Sequence, residues 1–305
     1  MSVSTPIVLF GFNRPEKLKQ LLERVVTEPI TRVFVYCDGP RGAEDEELCE
    51  ATRQAAEEFA NQFPVTVRTR PENYGITKNL VCAVSEVLSE FRQAMFFEDD
   101  VHPRPGCLGF LDRALEAYRF RQEIFSIGCY HRPVSDLELP MTFLSPRFNC
   151  WGWATWRDRW QQLQEPVLQN QLPWQEFYEV PTTAGQDLRE RFRQHLLKGK
   201  TMEWDTLTAL WCLKQGWYQV QPKEVAVTNV GFDNTGIHCR TNDSSKECFQ
   251  SSFLGDDYWE MDGAITPNQE LVNAVEATYD DPNITLLRRI RRRVEYQVRR
   301  FFADR

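Results

Sequence analysis

Residues Met95-Phe96-Phe97-Glu98-Asp99-Asp100-Val101 bring three carboxylates to the end of an apolar run. Such a run reads as a buried strand whose carboxyl end delivers acids to the edge of a sheet. Open α/β sheets bind their ligands at that edge. If the strand alternation continues, Glu98 and Asp100 point to one side and Asp99 to the other. Hard oxygens clustered this way suit Mg²⁺ or Mn²⁺, which keeps coordination positions open for substrate phosphates. The plain alternative is the solvated start of a loop. Arg14 and Asp38 follow two earlier apolar runs in the same manner. An Arg there can clamp phosphate, and an Asp can accept from a base N–H or a ribose hydroxyl. Singly, Arg14 is also an ordinary first-turn residue and Asp38-Gly39 an ordinary turn pair; jointly with the acids they outline a nucleotide site.

The elements that must position these residues follow from the pattern. Pro6 to Phe12 is a strand, closed by Asn13-Arg14-Pro15, with Asn13 expected as the helix N-cap and Pro15 in the first turn. Leu18, Leu21, Leu22, Val25 and Val26 keep one helical face apolar. Arg32 to Cys37 is the second strand, residues 44–59 an acidic exposed helix, and Val65 to Arg68 the third strand. Asn73-Tyr74-Gly75 opens a further helix carrying Asn79, and the fourth strand ends in the acids. This alternation predicts an α/β fold with a mostly parallel sheet flanked by helices.

Composition limits what the site can serve. The 305 residues, 42% hydrophobic and 26% charged, are those of a globular chain with material for one large or two small cores. Net charge is −8, but residues 286–305 carry eight Arg against Glu295 and Asp304, leaving the rest near −14. That excludes a nucleic-acid footprint over the main body. Nine dispersed Cys without a C-x-x-C pair read as reduced cytosolic thiols. No signal-peptide pattern precedes Pro6, and no apolar run approaches the roughly 18 residues of a membrane span. A cytoplasmic protein is expected.

Phe-x-Arg-Pro after the first strand, Cys-Asp-Gly-Pro after the second, Asn-Tyr-Gly-x-x-x-Asn before a helix and Phe-Glu-Asp-Asp-Val after the fourth resemble a GT-A (Rossmann-like) glycosyltransferase. Within that fold the chain is most similar to the inverting N-acetylglucosaminyltransferase I-like branch and related bacterial sugar transferases, over residues 5 to about 240. The resemblance implies a nucleotide-sugar donor, with Arg14, Asp38 and Asn79 beside the nucleotide and Asp100 as the direct ligand of Mn²⁺ or Mg²⁺. It also implies that Glu98 and Asp99 face the ribose and sugar or support the metal, and that the configuration inverts.

The second half adds its own candidates. Phe148 to Trp156 packs three Trp around Gly152, in a chain with nine Trp. Aromatic faces beside a closely approaching backbone suit the apolar C–H face of a sugar, although most of these Trp read as core. Resemblance to the family favours Trp151, Gly152 and Trp153 against the donor sugar. Met202-Glu203-Trp204-Asp205-Thr206 opens an apolar helix. There Asp205 is either a first-turn acid on the helix dipole or the base that takes the acceptor proton. The family's base is an Asp following Trp, which matches Asp205; many relatives carry a second Asp where this chain has Thr206, which keeps Glu203 as an alternative.

A strand over residues 225–230 leads into the loop Gly231 to His238, whose backbone N–H groups suit a diphosphate. Similarity to the family marks Asn234, Thr235 and Gly236 there, and His238 is a candidate metal or phosphate contact. Residues 240–282 read as polar and irregular. The tail repeats Leu287, Ile290, Val294, Val298 and Phe301 among its Arg residues. That pattern predicts a basic amphipathic helix over 283–305 that follows a 1–282 transferase domain and lies, through residues 286–302, on the anionic inner face of a membrane. The alternative is a helix docked on the acidic body. The expected activity is sugar transfer from a UDP-linked donor to a glycan or lipid-linked acceptor. The alternatives are a sugar nucleotidyltransferase, or a non-catalytic nucleotide-binding or membrane-adaptor protein.

Overall fold

The computed structural model describes residues 2–134, 137–171, 185–198, 201–232 and 265–279. Its strands are β1 (Ile7–Gly11), β2 (Val33–Cys37), β3 (Val65–Thr69), β4 (Gln93–Glu98), β5 (Val101–Pro103), β6 (Ile124–Gly128), β7 (Thr142–Ser145), β8 (Trp153–Trp156), β9 (Tyr218–Pro222) and β10 (Val227–Asn229). Its helices are α1 (Pro15–Val25), α2 (Ala43–Ala60), α3 (Gly75–Glu90), α4 (Cys107–Tyr118), α5 (Arg157–Trp160) and α6 (Gln164–Leu168), then α7 (Gln186–Lys198), α8 (Trp204–Gln215) and α9 (Gln269–Ala277).

One sheet runs β3-β2-β1-β4-β8-β6-β9-β7. The first four pair in parallel, β8 runs against both β4 and β6, β9 is parallel to β6, and β7 reverses again on β9. The sheet is therefore mostly parallel, with helices on both faces. Along β1 the side chains part by parity. Ile7 and Leu9 join Leu18, Leu21 and Leu22 of α1 and Leu108 and Leu111 of α4. Val8 and Phe10 join Leu80, Val84 and Val87 of α3 and Leu207 and Leu210 of α8. With both faces covered, β1 and β2 are buried throughout, which is why they read as unbroken apolar runs.

Leu18, Leu21, Leu22 and Val25 of α1 are fully buried at i, i+3, i+4 and i+7 spacing; each contributes about 1.5–3 kcal/mol of hydrophobic stabilisation. Its N-cap is Arg14, not the expected Asn13. The Asn13 amide instead donates to Asp45 Oδ1 on α2 at 2.7 Å, satisfying a buried carboxylate rather than capping its own helix.

The strand order places the site. The chain steps outward from β1 to β2 and β3, then α3 carries it back across the sheet to β4 on the other side of β1. The carboxyl ends of β1 and β4 therefore flank the point where the winding reverses, the crevice in which open α/β sheets hold ligands. Beside it β10 pairs antiparallel with β5, Asn229 against Val101, in a separate two-stranded ribbon. The stretch 240–282 is not irregular throughout. Asn268 Oδ1 accepts from the Glu270 and Leu271 N–H groups to cap α9, whose Leu271 and Val275 pack on Phe143. The tail 283–305 lies outside the described residues.

Candidate active site

At the switch point Arg14 joins the ends of β1 and β4. Its Nε donates to Asp99 Oδ2 at 2.9 Å, its Nη2 to Asp99 Oδ1, and its Nη1 to Asp100 Oδ2 at 2.9 Å. The Asp99 pair is the two-pronged guanidinium–carboxylate arrangement that fixes geometry as well as charge. The expected alternation of the acids fails here. β4 ends at Glu98, and Asp99 and Asp100 form a turn before β5, so one guanidinium reaches both. Glu98 alone keeps strand parity, on the face of Ala94 and Phe96, toward α8. Asp205 lies on that side in the first turn of α8.

Four acids thus gather near Arg14, with Lys17 in the field of Asp99 and Arg191 in that of Asp205. Burial pushes the Glu98 carboxyl up to about 8, helped by repulsion from Asp100, Asp205 and Asp99. Burial also raises Asp99, to about 7, against the pull of Arg14. Asp205 is raised by burial and by Glu203, while Arg191 and the Thr206 N–H and hydroxyl pull it back. Its Oδ1 accepts from the Thr206 N–H at 2.7 Å and the Thr206 hydroxyl at 3.4 Å. Cys150 lies within the field of Asp205, Glu98 and Asp100, and its thiol is held well above the usual range, chiefly by burial.

Two of the candidates hold the walls. Asp38 Oδ1 accepts from the Gly39 and Tyr74 N–H groups, and Oδ2 from the Gly75 N–H and the Asn73 amide. These four bonds fill its acceptor positions and anchor the start of α3, so a nucleoside donor at Asp38 competes with them. Gly39 has no room for a side chain, because a Cβ would stand 2.5 Å from the Glu72 backbone. Asn79 is buried and accepts from Arg70 Nε at 3.1 Å.

The aromatic segment divides at Gly152, whose φ is +68° and where a Cβ would lie 2.8 Å from Val227 and 2.9 Å from Phe97. Trp151 is half-buried, its ring 4.4 Å from Tyr130 and 6.0 Å from Phe232. Trp153, 1% exposed, packs on Phe96, Phe148, Trp160 and Trp204. Of the three residues expected beside a sugar, Trp151 is thus the one with free surface, Trp153 is a core residue, and Gly152 serves the close packing between them. Asn234, Thr235, Gly236 and His238 lie outside the described residues.

Sequence reasoning passed over Cys150 and Arg191, and named Gly231 only as the start of a diphosphate loop. Gly231 closes on the acids: a Cβ there would meet Asp100 Oδ2 at 2.6 Å, and the Val230 N–H donates to the Asp100 carbonyl at 2.8 Å. A Gly two residues after Asn229 at a strand end was the available signal. Cys150 and Arg191 of α7 carried none, since a thiol beside Trp and an Arg in a charged helix are common. Among the described residues no group of three or more His, Cys, Asp or Glu could hold a metal ion. The carboxylates fit a hard cation only if phosphate oxygens and water complete its shell, the usual manner of Mg²⁺. Asp100 Oδ1 and both Glu98 oxygens carry no hydrogen bond among the described residues, which leaves them for that purpose.

Fold and site together define an α/β protein with an acidic crevice at a topological switch point. No protein-family model matches the chain, and no curated protein matches it. Solved structures similar to it include a mannosyltransferase from Pyrobaculum calidifontis in complex with GDP-Man and Mn²⁺, at 13% identity over 70% of this chain and 72% of that one, TM-score 0.40. A glucosyl-3-phosphoglycerate synthase from Mycobacterium tuberculosis, in complex with Mn²⁺, UDP and glucosyl-3-phosphoglycerate, is 13% identical over 51% of this chain and 57% of that one, TM-score 0.32. An apo UDP-glucose pyrophosphorylase is 9% identical over 72% of this chain and 90% of that one, TM-score 0.38. At these scores the likenesses carry no argument about activity.

Proposed function

We propose that the chain is a divalent-metal-dependent glycosyltransferase, moving a hexose from a UDP-linked donor to a glycan or lipid-linked acceptor with inversion. The observation that carries this reading is the pairing of Asp99 and Asp100 with Arg14 at the switch point, with Glu98 beside them at the end of β4 and Asp205 in its field from the start of α8. Asp100 Oδ1 would hold Mn²⁺ or Mg²⁺ with the donor phosphates. The metal, when bound, neutralises charge developing on the departing diphosphate. Arg14 fixes Asp99 and Asp100 relative to β1, Asp38 holds the wall at α3, and Trp151 offers the donor sugar an apolar face. Asp205 takes the proton of the attacking acceptor hydroxyl. The loop residues Asn234, Thr235, Gly236 and His238 are assigned to the diphosphate.

Calorimetric titration with UDP, with and without Mn²⁺, tests the donor site. Binding that requires Mn²⁺ and disappears in Asp100→Ala is expected, and a panel of UDP-sugars then identifies the substrate by release of UDP. Release of pyrophosphate in its place would mark a nucleotidyltransferase. Absence of all nucleotide binding would leave an adaptor protein. No helix among the described residues is long and apolar enough to cross a membrane. Residues 286–302 are assigned to an anionic membrane surface, on the cytoplasmic side. Co-sedimentation of the full chain with phosphatidylserine vesicles, abolished by 0.5 M salt, is the expected outcome.

A further inference from the structure

Between α7 and the start of α8 an open cleft of about 330 Å³ is lined by Arg191, Gln194, Thr201, Met202, Glu203 and Thr206. Three of these side chains form a connected set. Arg191 Nη1 reaches from α7 to the start of α8, donating to Glu203 Oε2 and, at 3.2 Å, to the Thr206 hydroxyl. A hydroxyl that accepts from a guanidinium turns its own hydrogen elsewhere. The Thr206 hydrogen is directed at Asp205 Oδ1, 3.4 Å away, alongside the Thr206 N–H at 2.7 Å. Both donors fall on one oxygen, and among the described residues no hydrogen bond reaches Oδ2.

We infer that Arg191 and Thr206 are positioning residues, which fasten Asp205 by Oδ1 so that Oδ2 is the atom that takes the acceptor proton. The inference rests on the reading of Asp205 as the base and decides between the two candidate acids. Glu203 is spent on Arg191 as an ion pair, both side chains close to half exposed, and its charge is answered locally. Asp205 lies in the field of Arg191 without forming a salt bridge to it and is held by the Thr206 donors, the condition of a carboxylate that is oriented yet able to accept a proton. The groups facing it are Glu98 from β4, Cys150 from the segment before β8, Arg191 from α7, and Glu203 at the head of its own helix. Of these Arg191 alone is cationic, so the orientation and the charge balance of Asp205 come from the same residue. Thr206 supplies a donor rather than a further negative charge.

The test uses the full chain labelled with [¹³Cγ]aspartate and titrated by NMR, the Asp205 resonance being assigned by its loss in Asp205→Asn. Thr206→Val is expected to raise the Asp205 midpoint by about one pH unit, and Arg191→Gln by about half a unit because Arg191 is partly exposed. Thr206→Ser and Arg191→Lys should return it toward the wild-type value. A midpoint unmoved in a folded Thr206→Val chain overturns the inference, and so does full turnover in Asp205→Asn with loss of turnover in Glu203→Gln. In turnover assays, Thr206→Val should lower kcat by up to about tenfold at pH values below the Asp205 midpoint found by NMR, with the donor KM unchanged, and the deficit should shrink as pH rises above it. If UDP does not bind, the proposed function falls while the NMR titration still decides the arrangement around Asp205.

Discussion

Two corners of the molecule each set one arginine between two acids, and they differ in what is left over. Arg14 grips Asp99 and Asp100 at the switch point, with the arginine side chain 23% exposed. Arg147 grips Asp187 of α7 and Glu276 of α9 with its side chain 6% exposed. The second corner is complete. The Tyr279 ring stacks 3.6 Å from the guanidinium carbon, and Glu276 Oε2 also accepts the Gly185 N–H at 2.7 Å. The first corner has a surplus of acid, because Glu98 and Asp205 add two carboxyl groups that no cation among the described residues hydrogen-bonds, and burial holds both above the usual carboxylate range. Buried ion pairs alone therefore do not mark a functional site. Surplus acids with raised pKa values, held in place in a crevice, point toward one, since their cost is met where a ligand or a proton settles it.

The largest effect that would sharpen this contrast is loss of activity without loss of fold. Asp100→Ala and Asp205→Asn should each reduce turnover about 10²–10⁴-fold while leaving the thermal midpoint close to wild type; a comparable collapse of stability would make the first corner structural after all. Arg147→Ala should do the opposite. It strands Glu276 in the core and should cost about 3–5 kcal/mol in urea unfolding, and an unchanged midpoint would break the comparison. Gly152→Ala should lower stability by about 2–4 kcal/mol, from a left-handed backbone and contact with Val227 and Phe97. The smallest effect concerns pH. Glu98 is raised to about 8 from an ordinary 4.5. Between those values the folded chain holds a proton that the unfolded chain releases, so its contribution to stability declines as pH rises through that window. Glu98→Gln should match wild type at pH 5 and exceed it at pH 8 by roughly 1 kcal/mol, reduced by partial exposure. Unfolding at both pH values checks it, and equal differences would remove the charge surplus from Glu98.

What was legible in the sequence is the half of the fold where both sheet faces are covered. There β1, β2 and β4 appear as contiguous apolar runs and α1 repeats at helical spacing. Of the later strands only β10, inside the expected 225–230, was legible; the others were hidden for identifiable reasons. In β9, Gln219 and Gln221 are buried amides, bonded to Ser126, to Asn149 and to each other, so no hydrophobic pattern advertises the strand. β8 is Trp153-Ala154-Thr155-Trp156, whose aromatics suggested a ligand wall but fill the core between β4 and β6. At the site, the acids and Asp205 could be named from residue type and position in an element. Their pairing could not, because the turn at Asp99 cancels strand parity, and Arg191 reaches Thr206 only through the packing of α7 on α8.

The clasp at Arg147 also bears on the order in which the molecule is made. Its acids lie 40 residues and 129 residues further along the chain, and α7, the helix that carries Arg191, is held by both. During synthesis the β1 to β4 half emerges with its partners already at hand. The clasp on α7 waits for Glu276 to leave the ribosome, and contacts at such separation close slowly. Chains halted before α9 would carry the acids of the crevice yet lack the clasp on α7; under the proposed function, nucleotide binding is then expected to precede turnover.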